Sequence, residues 1–234
     1  MLNLSWKQPP NDYPTSDGKP VGETEPHRDL LFDILYTLKH FFRDQPGVHV
    51  TGNLLWFYQQ GNRRRHLSPD VMVCFGVRQG VRLNYLQWEE GCAPQVVFEF
   101  SSESTEEVDR GKKRTLYEQL GVEEYYLFDP RKNHVVPRLR AFHSHNDSFV
   151  PVLGDTVYSR RLGLEVLIVG DTLRIRDPAT HEILLTTPER AERAELETSR
   201  ADREAVLRQE AERQLAEMKQ LLEQLRKGED VGPR

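Results

Sequence analysis

Between residues 96 and 128 the chain passes from an apolar run, Val96-Val97-Phe98-Glu99-Phe100, through a charged amphipathic segment into a second β-rich stretch. The first run is too short and too apolar for a surface helix, so it reads as a strand covered on both faces. Residues 105–120 set Val108, Leu116 and Leu120 among charges and stop at Gly121, the pattern of an amphipathic helix closed by glycine. Residues 122–128 then read as a strand ended by Asp129-Pro130. Strand, helix and strand in that order favour parallel pairing through a right-handed crossover. The expected core is therefore α/β, a mixed sheet flanked by helices, rather than all-β.

The rest of the chain is arranged around that unit. Residues 1–22 are rich in Pro, Asp, Asn and Gly without apolar periodicity and read as an extended arm. Over residues 23–43, Leu30, Leu31, Ile34, Leu35, Leu38, Phe41 and Phe42 recur at helical spacing until Pro46-Gly47 stops them. Residues 48–51, 54–59 and 70–75 read as strands, and shorter candidates follow at 135–139, 149–153, 165–168 and 173–175, as hairpins extending the same domain. After Pro188 the composition becomes almost pure Ala, Glu, Arg, Leu, Gln and Lys, with no Gly or Pro before Gly228. That tail predicts a long solvated helix. Ala211, Leu215, Met218, Leu222 and Leu225 alternate at spacings of four and three, a coiled-coil seam of about two heptads. Three segments result: an arm (1–22), a folded domain (23–187) and a charged helix (188–234).

With 234 residues and 37% hydrophobic content, the chain can build one sizeable core. Its net charge of -5 supplies no global field for nucleic acid, so binding of DNA would require a local basic surface. Cys74 and Cys92 lack zinc-site spacing and read as reduced structural thiols. No apolar run reaches the roughly 18 residues of a membrane span, and the expected location is the cytoplasm.

The chemistry is expected where acids meet apolar strands. Pro69-Asp70 opens the run Val71-Met72-Val73-Cys74-Phe75, and Glu99 lies inside Val96–Phe100. A carboxylate in an apolar strand is costly to bury without a ligand or partner. Two such acids on adjacent strands suit Mg2+, with Mn2+ as a substitute, because that cation needs only one or two carboxylates beside water and phosphate. Thr105, Asp109, Lys113 and Tyr117, each four apart, share one helix face. Lys113 in that series equally suits a surface ion pair with Asp109. The run Arg63-Arg64-Arg65 is the best local basic patch for phosphate contacts, although solvated loop charges have the same pattern. Glu23 and Glu25 suit the positive end of the first helix, and His27 reads as a surface or capping residue.

These residues carry a resemblance. Pro69-Asp70, then Glu99, Ser102, Thr105, Asp109, Lys113 and Tyr117, then Gly121-Val122 with Glu124-Tyr125, then Asp129-Pro130, resemble in order the Uma-type restriction endonuclease family of the PD-(D/E)XK nuclease superfamily. The resemblance covers roughly residues 15–185. It implies a restriction-endonuclease-like mixed sheet flanked by helices, with Asp70 and Glu99 as metal ligands and catalytic acids. The superfamily lysine normally stands two positions beyond the second acid; here that position is Ser101, and the resemblance points instead to Lys113. Ser102, Asp109 and Tyr117 are supporting candidates, as is Glu23 in place of the acid that the superfamily often carries on its first helix.

The expected function is thus a Mg2+-dependent endonuclease hydrolysing DNA phosphodiester bonds, plausibly as a homodimer, since two sites cut a duplex most simply. The alternative is a catalytically inactive nuclease-fold protein that assembles through its C-terminal helix.

Overall fold

The computed structural model describes residues 7–18, 24–101, 109–130 and 137–228. The chain divides into two compact units, Met1–Thr186 and Thr187–Arg234. In the first unit, helix α1 (Glu25–Phe41) begins with a proline in its first turn and carries Glu25 at its start and Lys39 and His40 at its end. Those charges complement the helix dipole. Leu30, Leu31, Ile34, Leu35 and Leu38 form its buried stripe. Each such side chain contributes about 1.5–3 kcal/mol of transfer free energy before ordering costs.

The main sheet has six strands in the order β1 (Val48–Thr51), β4 (Val71–Phe75), β6 (Val96–Phe100), β7 (Glu124–Phe128), β8 (Leu139–His145) and β9 (Ser148–Val152). All its neighbours pair antiparallel except β6 and β7, which run parallel, as the strand-helix-strand pattern requires. Gly121, at φ 86°, closes the intervening helix in the left-handed region that glycine enters without penalty.

Alternation along the strands divides the core. Val71, Val73, Val96, Phe98, Phe100, Tyr126 and Phe128 share a cluster with α1, while Met72, Cys74, Val97, Tyr125 and Leu127 form another with Tyr117 and Trp56. β2 (Trp56–Phe57), β3 (His66–Leu67) and β5 (Tyr85–Leu86) make a small mixed sheet in the order β3-β2-β5. A one-turn helix, α2 (Gln87–Glu90), follows β5.

Residues 7–18, the described part of the arm, are pinned to this part of the molecule. Gln8 Oε1 accepts from the backbone N–H groups of Leu83 and Asn84 at 2.9 and 3.3 Å, and the Tyr13 ring packs edge-on against Phe57.

Three boundaries differ from the sequence expectation. The strand expected over 54–59 shrinks to Trp56–Phe57. The one expected over 135–139 begins only at Leu139 and runs to His145, and residues 131–136 lie outside the described residues. The late hairpins make a separate antiparallel sheet of β10 (Thr156–Ser159), β11 (Leu164–Val169) and β12 (Thr172–Arg176), with β10 unforeseen. Val157, Leu164, Val166, Leu173 and Ile175 of that sheet join the cluster of α1.

The second unit is α4 (Thr187–Gly228), a 42-residue helix with Leu196, Val206, Leu207, Leu215, Met218, Leu221 and Leu222 exposed. Arg193–Glu197, Arg208–Glu212 and Arg213–Glu217 form i,i+4 ion pairs along it. No helix of the described residues is long and apolar enough to cross a membrane.

Candidate active site

The β4–β6 register pairs Val71 with Phe98, and one further step sets Asp70 opposite Glu99. Both carboxylates are buried. Asp70 is fixed by its backbone setting: its Oδ2 accepts from the Phe100 N–H at 2.6 Å and lies 3.2 Å from His27 Nε2. Close packing reinforces this, since a Cβ placed on Gly52 would meet the Asp70 carbonyl oxygen at 2.4 Å.

The segment before Tyr117 is a π-helical turn, Asp109–Lys113, continuing into α3 (Arg114–Gln119). It delivers Lys113 Nζ to within 3.1 Å of Glu99 Oε2, and Tyr117 donates its O–H to Glu99 Oε1 at 2.5 Å. Lys113 and Tyr117 are one helical repeat apart, so both reach the same carboxylate from one face. Lys113 thus reaches into the sheet rather than lying along the helix surface. Tyr117 is fully buried and stacks on Trp56 with centroids 6.1 Å apart. Burial first, and then the Glu99 charge, hold its phenol well above the usual tyrosine range. The hydroxyl therefore remains a donor and offsets part of the cost of the buried carboxylate.

Asp70, Glu99, Lys113 and Tyr117 are thus brought together. Arg63, Arg64 and Arg65 sit exposed between β2 and β3, and no hydrogen bond or ion pair among the described residues joins them to the acids. Glu23, Ser102 and the side chain of Asp109 lie outside the described residues.

The sequence reading of His27 is corrected: it is buried on the inward side of α1 against Asp70, with its ring edge-on to Phe100 at 6.0 Å. Its position three residues before Leu30 was the available signal, because i and i+3 share a face. Ser101 was read only as the place where a lysine was missing. Its buried hydroxyl has no hydrogen-bond partner among the described residues.

A mixed sheet with one parallel crossover, a helix on the shared core and buried acids facing each other on adjacent strands is an α/β fold of the restriction-endonuclease type. The chain belongs to the Uma2 family, described as putative restriction endonucleases, whose family model matches residues 4–147. That family is one of nucleases. Among solved structures, a putative nuclease of Anabaena variabilis is similar over 63% of this chain and 81% of its own, at 14% identity and a TM-score of 0.45. Curated protein sequences give no match.

Proposed function

We propose that this protein is a magnesium-dependent endonuclease that hydrolyses DNA phosphodiester bonds in the cytoplasm, with Asp70 and Glu99 as metal ligands and Lys113 as the electrostatic catalyst. The observation that carries the reading is the meeting of Glu99 with Lys113 and Tyr117 directly across the strand register from Asp70. The donor set fits the cation. Among the described residues no three His, Cys, Asp or Glu side chains converge as a closed metal centre would need. A pair of hard carboxylates is what magnesium takes when phosphate and water complete its shell.

Such an ion would polarise the phosphate and lower the pKa of an attacking water. The chain's own groups have distinct tasks. The Phe100 N–H and His27 both engage Asp70 Oδ2, which leaves Oδ1 for a cation. Tyr117 fixes the rotamer of Glu99, and Lys113 provides a positive charge where negative charge develops on the phosphate oxygens.

The test is cleavage of plasmid, linear and single-stranded DNA with magnesium or manganese, alongside manganese binding followed by electron paramagnetic resonance. Wild type should cut and bind, and Asp70→Ala and Glu99→Ala should lose both. Equal cleavage by wild type and both variants would assign the activity to a contaminant.

The exposed apolar residues of α4 motivate a homodimer formed through that helix. They also motivate the rival reading, an inactive scaffold that assembles by the same route. Deleting residues 188–234 separates the two: the enzyme should keep its metal affinity as a monomer, whereas a scaffold would have no metal affinity to keep and would lose its partner.

A further inference from the structure

At the free edge of β1, a cleft of about 320 Å³ opens between the end of α1 and the loop at residues 79–82. Its size falls at the small end of the range for small-molecule sites. Although the chain carries a net charge of -5, the cleft is lined by Lys39, Arg43 and Arg82 and by no acid among the described residues. The three cations differ. Arg82 is held inside by Glu90 at 2.6 and 2.9 Å and by backbone carbonyls, so it forms part of the wall. Arg43 lies 3.1 Å from Asp44 at the rim. Lys39, at the exposed rim, has no carboxylate in contact among the described residues; its ammonium lies 5.5 Å from the centre of the Tyr36 ring, and partial desolvation lowers its pKa below the usual lysine range. An ammonium in that setting gains from an incoming anion.

Phe42, Val48, Val50 and Leu54 make an apolar wall, and His49, Thr51 and Gln79 are the uncharged polar side chains beside it. The buried Nε2 of His49 has no hydrogen-bond partner among the described residues. Burial, then the fields of Arg82 and Lys39, push the ring down to about 3, so it is a neutral imidazole at physiological pH. That nitrogen has no surface open to the cleft, so the neutral ring adds to the wall rather than offering a hydrogen bond.

The place of the cleft narrows the ligand. His49 and Thr51 pair with Cys74 and Met72, so they project on the sheet face that carries Glu99. From Cys74 back to Asp70 is four residues, about 13 Å of strand. That is roughly four steps of a stacked nucleic-acid strand.

We propose that the cleft is a nucleotide subsite: its apolar wall takes one nucleobase beside the His49 ring, and Lys39 with Arg43 meets the adjoining phosphate. A base can enter only after leaving its stack, so the substrate class is DNA with unpaired nucleotides about four steps from the scissile bond. The choice of ligand rests on the nuclease reading, but binding of a nucleotide requires no cleavage, so the two fail separately.

The experiment is calorimetric titration of the full-length protein with each of the four deoxynucleoside 5′-monophosphates, with inorganic phosphate as the comparison. Saturable binding of at least one nucleotide is expected, at least about tenfold tighter than phosphate. Lys39→Glu, a change at an exposed rim position, should weaken it by about tenfold. Absence of saturable binding at millimolar concentration overturns the proposal, as does phosphate binding equal to that of the nucleotides, or unchanged affinity in Lys39→Glu. A protein that binds nucleotides but cuts no DNA would keep the subsite and lose the nuclease reading; one that cuts but binds none would do the reverse.

Discussion

Glu99 on β6 and Glu124 on β7 are both glutamates buried within apolar strands of the same sheet, yet their surroundings differ in kind. Glu124 is gripped by groups that the fold sets in place: the N–H groups of Arg160 and Arg161 at 2.8 and 3.0 Å, the Tyr126 hydroxyl at 3.1 Å and the Ser159 hydroxyl. It clamps the start of the second sheet to β7. Glu99 instead faces Asp70 across the register and meets a lysine whose side chain is partly open to solvent. The cost of burying an acid therefore identifies both residues without separating site from scaffold. What separates them is the nature of the partners: neutral donors from β7, the end of β10 and the turn after it for one, a helix-borne cation and a second carboxylate for the other.

Substitutions can break this contrast. Glu99→Gln should reduce cleavage on the order of a thousandfold, the scale of lost metal assistance, while thermal stability changes little. The measurement is initial rate beside melting temperature, and a collapse of stability would make Glu99 scaffold as well. Glu124→Ala should show the opposite profile, losing on the order of 3 kcal/mol in urea denaturation because several buried donors are left unmatched. Lys113→Ala should slow cleavage by about a hundredfold at unchanged stability, read as a fall in kcat with KM nearly constant. Tyr117→Phe removes only the O–H that fixes Glu99, and a loss of about tenfold in rate is expected. A further effect is on acid stability. Folding holds His49 at about 3 against an ordinary 6.5, and burial shifts His143 in the same direction. Between those values the unfolded chain binds more protons, so stability should fall as pH drops from neutrality towards 4. His49→Asn should flatten that slope in urea midpoints measured at pH 7, 5 and 4.

Much of the fold was legible because it rests on local patterns. The strand-helix-strand order at residues 96–128 entails the parallel pair, and the stripe of α1 is read directly from spacing. The approach of Asp70 to Glu99 was also accessible, since an acid at the start of one strand and another near the end of its antiparallel neighbour meet. Three features were hidden. The π-helical turn that carries Lys113 inward has no signature in side-chain type, so spacing alone suited an ion pair with Asp109. The spacing to Leu30 puts His27 on the inward face of α1, but its meeting with Asp70 is a long-range contact that periodicity does not encode. The separate second sheet escaped for a similar reason, because its apolar partner is a helix more than a hundred residues earlier.

Gly52 lies eighteen positions before Asp70 and has no functional group, yet its missing side chain is what lets the β1–β2 connection lie against the Asp70 carbonyl. Its neighbour Asn53 donates its N–H to Pro69 at 3.0 Å, so the two backbones move together. A blind mutagenesis screen for loss of cutting should therefore return substitutions at position 52 alongside those of the acids. An observer who knew only the chemistry of side chains would have no reason to look there.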